Sequence, residues 1–359
     1  MKIKFIVPHI HLRATGGNIY NRQIITRLDQ YNRIEIVTSQ EEWWRFPAQE
    51  AHHLAPPSVI LIDSLLIAET ERIRLLRERF KRQAFVLLLH YLYCLNPAFN
   101  RSIKSHNERK LLKLFDSVIA TSEYARKRLI SLSVSESVIS VVEPGLNDMF
   151  FGPIAHRLST DPIKMLTVAN LFPEKGLYEF ITVMEELQDL SWQWHLVGDD
   201  SLDSEYSTRF YQRLEGSTIQ KRVKLYGPVS EEHIIDIYDS CDLFVLPSLF
   251  DNSPLVIREA LSRGLPVIAF DVGGIKEIVS DNGSGFLAPA EDWEYLTLVL
   301  RKLITDSKLR RDTGRSARLA SKAFSSWGEV ADKLRQVLED MVARSSCNEK
   351  SEVTMSSPL

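Results

Sequence analysis

Two carboxylates, Asp251 and Glu259, are separated by seven residues in the stretch CDLFVLPSLFDNSPLVIREALSRGLPVIAFDVGGIKEIV, residues 241–279. A carboxylate accepts two hydrogen bonds from a vicinal diol. Between the two, Asn252 lies in a loop and Pro254 opens a helix, where a missing backbone donor costs little. The backbone N–H groups near Leu255 and Val256 are then free to receive a diphosphate. Asp251 falls on the loop and Glu259 about one turn inside the helix, so the two flank such an anion. One carboxylate suits the ribose of a nucleotide and the other the hydroxyls of a sugar. Two diols joined by a diphosphate outline a nucleotide sugar.

A second stretch, TVANLFPEKGLYEFI at 167–181, reads as a strand, a loop carrying Lys175-Gly176, and an amphipathic helix. Lys175 supplies a mobile ammonium for the diphosphate, and Gly176 keeps the backbone accessible. The first loop, 11–18, carries Gly16 and Gly17, which permit close approach to donor phosphates or to an acceptor. The spacing is not G-x-G-x-x-G, which disfavours a dinucleotide cofactor. His90 ends the apolar run FVLLLH, and a polar residue at the carboxyl end of a parallel strand faces the ligand crevice. His9 and His11 near the first loop are weaker acceptor contacts. Gly198 ends another strand, where it lets a nucleotide approach, and the Asp199-Asp200 pair after it reads as a turn rather than a metal site. Tyr226-Gly227-Pro228 follows a further strand. Each residue also has a plainer use: a carboxylate at a helix start as a cap, a lysine in solvent, a histidine satisfied at a strand end.

The elements that must position these groups alternate. Expected strands are 3–7, 34–38, 59–62, 85–90, 117–120 and 139–142, then 164–169, 193–197, 223–226, 243–246 and 266–270, with helical patterns such as 17–28 and 69–81 between. Continuous apolar strands alternating with helices indicate parallel sheets covered on both faces. The pattern occurs twice, which predicts two domains: 1–150 and 162–325. Pro144, Gly145, Gly152, Pro153 and Pro162 mark the boundary. A last helical pattern covers 326–343, before an aperiodic, disordered tail at 344–359.

The net charge of −3 gives no reason to expect a nucleic-acid partner. Residues 1–150 carry 21 Lys or Arg against 15 Asp or Glu, a net of +6 that leaves −9 for the remainder. The helix at 69–82 sets Ile73, Leu76 and Phe80 on one face among six basic residues, so it reads either as a solvated surface helix or as a peripheral contact with an acidic membrane. No apolar run approaches the ~18 residues of a membrane span. Cys94, Cys241 and Cys347 form no framework, which fits a reducing cytoplasm, either free in it or at the inner face of the membrane.

The 241–279 stretch resembles family 4 of the glycosyltransferases, which have the GT-B architecture of two facing Rossmann-like α/β domains with a cleft between them. Pro247-Ser248, Asp251, Glu259-Ala260, Gly264, Pro266-Val267-Ile268-Ala269, Gly273-Gly274 with Glu277, and Gly285-Phe286-Leu287 carry the resemblance, which is strong over 164–290. It implies that Glu259 binds the donor ribose, Asp251 the transferred sugar, His90 a sugar hydroxyl, and the Tyr226 loop the base. It also implies that 1–150 binds the acceptor and 162–325 the nucleotide sugar, that the helix at 326–343 packs back on the first domain, and that a nucleoside diphosphate, UDP first and GDP second, leaves in a retaining transfer without cofactor or metal. Two departures stand out: Asp251 replaces the usual Glu, and Asn170 stands where an Arg is usual. Arg258, Arg263 and Arg13 are the candidates to replace that cation. The expected acceptor is a lipid or polysaccharide, or a small metabolite. For the latter, length and N-terminal segment resemble cyanobacterial transferases that glucosylate a reduced pteridine, tetrahydrobiopterin. Two other classes are a nucleotide-sugar epimerase of this architecture, which turns over the donor alone, and a non-catalytic sugar-nucleotide binder, which turns over nothing.

Overall fold

The computed structural model describes residues 1–8, 15–30, 33–38, 58–154 and 161–355, with side chains to 343. His9, His11 and Arg13 lie outside the described residues. The chain forms two compact units, Met1–Gly145 with Trp327–Leu359, and Leu146–Ser326.

The first unit is built on a parallel sheet of β1 (Lys2–Ile6), β2 (Arg33–Val37), β3 (Ser58–Asp63), β4 (Ala84–Leu89), β5 (Ser117–Ala120) and β6 (Ile139–Val141), in the order β2-β1-β3-β4-β5-β6. Every residue of β3 and β4 is buried. This is what continuous apolar runs require when helices cover both faces. The chain passes to opposite sides of β1 on leaving it and on returning as β3, which makes a topological switch point at their carboxyl ends. The last helix, Trp327–Met355, packs on the helix Gly16–Leu28 and touches β3 and β4. Its buried Trp327, Val330, Ala331, Leu334, Leu338 and Met341 recur at helical spacing. It runs on through residues read from sequence as an aperiodic tail. No Gly or Pro interrupts 329–357, so nothing local stops it.

The helix Thr70–Arg79 is shorter at both ends than the periodicity indicated. Ile73, Leu76 and the following Phe80 are fully buried. The apolar face that an interfacial helix would give to a membrane is therefore spent on the core. Among its cations, Arg77 is paired with Asp116, at 2.6 Å and 2.9 Å. Arg72 pairs with Glu69 and Arg74 with Glu71, both at 3.2 Å. Among the described residues no helix is long and apolar enough to cross a membrane.

The second unit holds β7 (Ile163–Val168), β8 (Trp192–Val197), β9 (Val223–Gly227), β10 (Leu243–Leu246), β11 (Val267–Phe270) and β12 (Gly285–Ala288), all parallel, in the order β12-β11-β10-β7-β8-β9. The motif Gly285-Phe286-Leu287 is thus itself an edge strand, which the sequence reading did not count. β7 leads outward one way and β10 the other, so the switch point lies at their carboxyl ends. The Pro- and Gly-rich stretch after Gly145 is fixed to this unit rather than closing the first. Arg263 donates to the carbonyls of Gly152 and Pro153 at 3.2 Å and 2.8 Å, and Arg318 to those of Phe151 and Gly152 at 3.0 Å and 2.9 Å.

Candidate functional site

In the second unit both loops at the switch point carry site residues. Lys175 follows β7 and Asp251 follows β10, and the Lys175 ammonium lies 2.6 Å from Asp251 Oδ2. Two contacts bring the loops together. Leu249 N–H donates to the Glu174 carbonyl at 2.8 Å. Gly176, with φ of 63°, lies so close to β10 that a Cβ there would sit 2.2 Å from the Pro247 carbonyl oxygen. Only glycine fits both that dihedral and that approach. The Asp251 backbone is fixed in turn by Gly274 N–H, which donates to its carbonyl at 3.0 Å.

The helix Leu255–Ser262 starts directly beyond this loop, with Pro254 as its N-cap residue and Asn252 buried beside it. First-turn N–H groups have no intrahelical partner, so those of Leu255 and Val256 suit an anion held next to Lys175. Glu259 stands on the second turn of this helix, half-buried. Tyr238, from the helix Glu231–Ser240, donates its hydroxyl to Glu259 Oε2 at 2.7 Å. Burial pushes the Glu259 carboxyl up to about 7, against the lowering effect of the Tyr238 hydrogen bond. Tyr238 is fully buried and was not legible in sequence, since it reaches Glu259 from another helix.

Of the arginines proposed to replace the cation missing at 170, the two among the described residues are engaged elsewhere. Arg263 is 2% exposed and forks onto Asp239 at 2.7 Å and 2.6 Å. Arg258 is buried with its guanidinium 5.0 Å from the Phe324 ring centroid. Asn170 itself accepts from Asp199 N–H at 3.0 Å, holding the turn after β8. Gly198 has a structural reason of its own: a Cβ would lie 1.9 Å from the Ala169 carbonyl oxygen. Asp199 accepts from Ser201 and Asp200 from Tyr211, so the two carboxylates diverge. Among the described residues no cluster of three or more candidate ligands could hold a metal ion. At the sheet edge, the Tyr226 hydroxyl and His195 Nδ1 lie 2.9 Å apart, and the Lys224 ammonium stands 4.6 Å from the Tyr226 ring centroid. Burial, with Lys224 and Lys164 nearby, pushes His195 down to about 4, so its ring is neutral. The Gly227 carbonyl is taken by Gly198 N–H at 3.1 Å.

In the first unit, Thr15 caps the helix Gly16–Leu28 by accepting from Asn18 N–H. Gly17 abuts His90, and a Cβ there would lie 3.1 Å from the imidazole. The His90 main chain is held by Ser64, whose Oγ accepts from His90 N–H at 3.0 Å and Tyr91 N–H at 3.3 Å. Its Nε2 lies 2.9 Å from Asn21 Oδ1, and Asn21 Nδ2 donates to Asp63 Oδ2 at 2.5 Å. Asn21, Asp63 and Ser64 were missed in sequence, although a carboxylate ending a fully apolar strand was the available signal for Asp63. A Gly17→Ala change adds helix propensity but drives a methyl into the ring. The expected result is an unchanged melting temperature with turnover reduced about tenfold, equivalent to ~1.4 kcal/mol. Melting curves and steady-state rates on the same preparation check it.

Residues 153–320 match the family described as glycosyl transferases group 1. The amylovoran biosynthesis glycosyltransferase AmsK of Erwinia amylovora is 27% identical over 214 residues, 56% of this chain and 52% of that protein. The mannosylfructose-phosphate synthase of Agrobacterium fabrum is 23% identical over 256 residues, 67% of this chain and 56% of that protein. The chain thus spans little more than half the length of these relatives. Among solved structures, Anabaena HepE in complex with UDP and glucose superposes with a TM-score of 0.76 at 19% identity, covering 94% of this chain and 99% of that one. The sucrose-phosphate synthase of Thermosynechococcus elongatus gives 0.77 at 21% identity, covering 96% and 100%. Two parallel-sheet Rossmann-like units matching GT-B structures are therefore the fold of this chain.

Proposed function

We propose that the chain, whose residues 153–320 match the family described as glycosyl transferases group 1, is a retaining glycosyltransferase that moves a hexose from a nucleoside diphosphate sugar, UDP-glucose or a similar donor, to a hydroxyl acceptor. The observation that carries this reading is the placement of Lys175, Asp251 and the start of the helix Leu255–Ser262 together at the β7–β10 switch point. Lys175 and the helix N–H groups neutralise the departing diphosphate, a preorganised electrostatic role. Asp251 accepts from hydroxyls of the transferred sugar, exchanging its hold on Lys175 for the ligand. Glu259 takes the ribose diol. His90 takes a sugar hydroxyl. Positioning of the reacting groups supplies the rest. HepE was solved in complex with UDP and with UDP-glucose, which supports UDP as carrier. Relatives named for amylovoran biosynthesis and for phosphatidylinositol N-acetylglucosaminyl transfer support a polysaccharide or lipid-linked acceptor.

The test is nucleotide release by the purified protein over UDP- and GDP-sugars crossed with polysaccharide, lipid-extract and pteridine acceptors. Acceptor-dependent release from one donor is expected, with the strongest acceptor naming the substrate class. Epimer or free sugar formed without any acceptor would assign an epimerase, and tight donor binding with no release from any pair would assign a non-catalytic binder.

A further inference from the structure

The side chains behind His90 form a chain of hydrogen bonds whose directions are all determined. Asp63 closes β3, is fully buried, and has two oxygens with two donors: Leu65 N–H on Oδ1 at 2.7 Å and the Asn21 side chain on Oδ2 at 2.5 Å. A carboxylate only accepts, so the Asn21 atom facing it is the amide nitrogen, Nδ2. The Asn21 amide oxygen is then the atom 2.9 Å from His90 Nε2. Oxygen cannot donate there, so Nε2 must carry the proton. The Asp63 carboxylate, 3.8 Å from the same nitrogen, acts in the same sense, since a bare lone pair on Nε2 would face two acceptors. Burial lowers the affinity of the ring for a second proton, although Asp63 opposes this. A neutral ring protonated at Nε2 carries no proton at Nδ1, which is then an acceptor.

We propose that Asp63 and Asn21 are positioning residues that lock His90 as the Nε2-protonated neutral tautomer, so that the ring meets a substrate hydroxyl as a hydrogen-bond acceptor through Nδ1. The substrate half of this statement rests on the proposed function; the tautomer half does not. The lock selects for a group that donates, a hydroxyl, and against a carbonyl or ether oxygen placed at the same point. It also explains why two elements converge on one ring. The β3 end supplies Asp63 and Ser64, and the first helix supplies Asn21 and, against Cγ and Cδ2 of the ring, Gly17.

Nitrogen NMR of protein labelled with 15N-histidine reads the tautomer directly. The chain has nine histidines, so the His90 signals are assigned by their loss in His90→Gln. The wild-type protein is expected to show protonated Nε2 and bare Nδ1 at His90. Asp63→Asn should invert this. The substituted side chain has a single oxygen, which must keep capping Leu65 N–H, and its amide nitrogen then faces Asn21. Asn21 has to turn its oxygen to that amide and its own Nδ2 to His90, and the ring proton moves to Nδ1. Transfer should slow about tenfold, on the scale of one mismatched hydrogen bond. Bare Nε2 in the wild-type spectrum would overturn the proposal, as would an unchanged tautomer in a folded Asp63→Asn protein. If that variant does not fold, the wild-type spectrum decides alone. The predicted tautomers without any transfer activity would uphold the lock and instead count against the proposed function.

Discussion

Lys175→Ala is expected to lower kcat by about two to three orders of magnitude while the protein stays folded. The size follows from the role: removing one preorganised donor from a developing anion costs roughly 2.7–4 kcal/mol of transition-state stabilisation. Two features of the site push toward the upper end. Neither Arg258 nor Arg263 can take over, because one is held against Phe324 and the other forks onto Asp239. The substitution also leaves Asp251, 15% exposed, without its 2.6 Å partner and facing the incoming diphosphate. Stability should change little, because a partly exposed ion pair contributes about 0–1 kcal/mol. The check is kcat and KM for the donor beside a melting curve. A loss confined to KM would mean that Lys175 binds the ground state as strongly as the transition state. An unchanged rate would remove Lys175 from the mechanism. Asp251→Asn separates the partners: it frees Lys175 for the diphosphate while weakening the grip on the sugar, so donor hydrolysis and transfer should both slow while affinity for the free diphosphate rises.

The two sheets were legible because their strands are continuous apolar runs, and a strand buried on both faces must look that way. β12 was overlooked since Gly285–Ala288 is short and opens with glycine. Within the site, Lys175, Asp251 and Glu259 could be found because each sits at a fixed offset from a strand end or a helix start. Their supports could not. Tyr238 meets Glu259 across 21 positions of sequence, and Asn21 meets His90 across 69. No local spacing encodes such pairs; only the sheet order, with β3 beside β1 and β4, brings the His90 group together. The same applies to Arg258 and Arg263. Sequence shows two cations on or beside the helix Leu255–Ser262, but which way they face is set by Phe324 and Asp239.

Glu259 makes donor affinity depend on pH, in a direction that the site fixes. Its carboxyl is pushed up to about 7 by burial, so near neutral pH the protein holds a mixture of carboxylate and carboxylic acid. A ribose diol donates two hydrogen bonds, and only the carboxylate accepts both without presenting a competing O–H. Binding therefore draws on the ionised fraction, and affinity for a nucleotide sugar should rise with pH and level off above about 7. Below that point it should weaken by close to tenfold per pH unit, because the ionised fraction falls at that rate. Each phosphate of a nucleotide sugar is a diester without an ionisation in this range, so UDP-glucose titrates Glu259 and not itself. Stability of the ligand-free protein should run the opposite way. A carboxyl with a raised folded-state value binds its proton more tightly when folded. Its contribution is fully present below the ordinary glutamate value and is lost as pH rises through about 7. Glu259→Gln removes both trends at once: affinity becomes weak and flat with pH, and the melting temperature loses the decline between the ordinary glutamate value and neutrality. Calorimetric titration with UDP-glucose and thermal melts, each run from mildly acidic to mildly alkaline pH, measure the two slopes in one protein. Opposed slopes that vanish together in Glu259→Gln place the ribose on this carboxylate, whereas an affinity that is flat with pH in the wild-type protein would take it elsewhere.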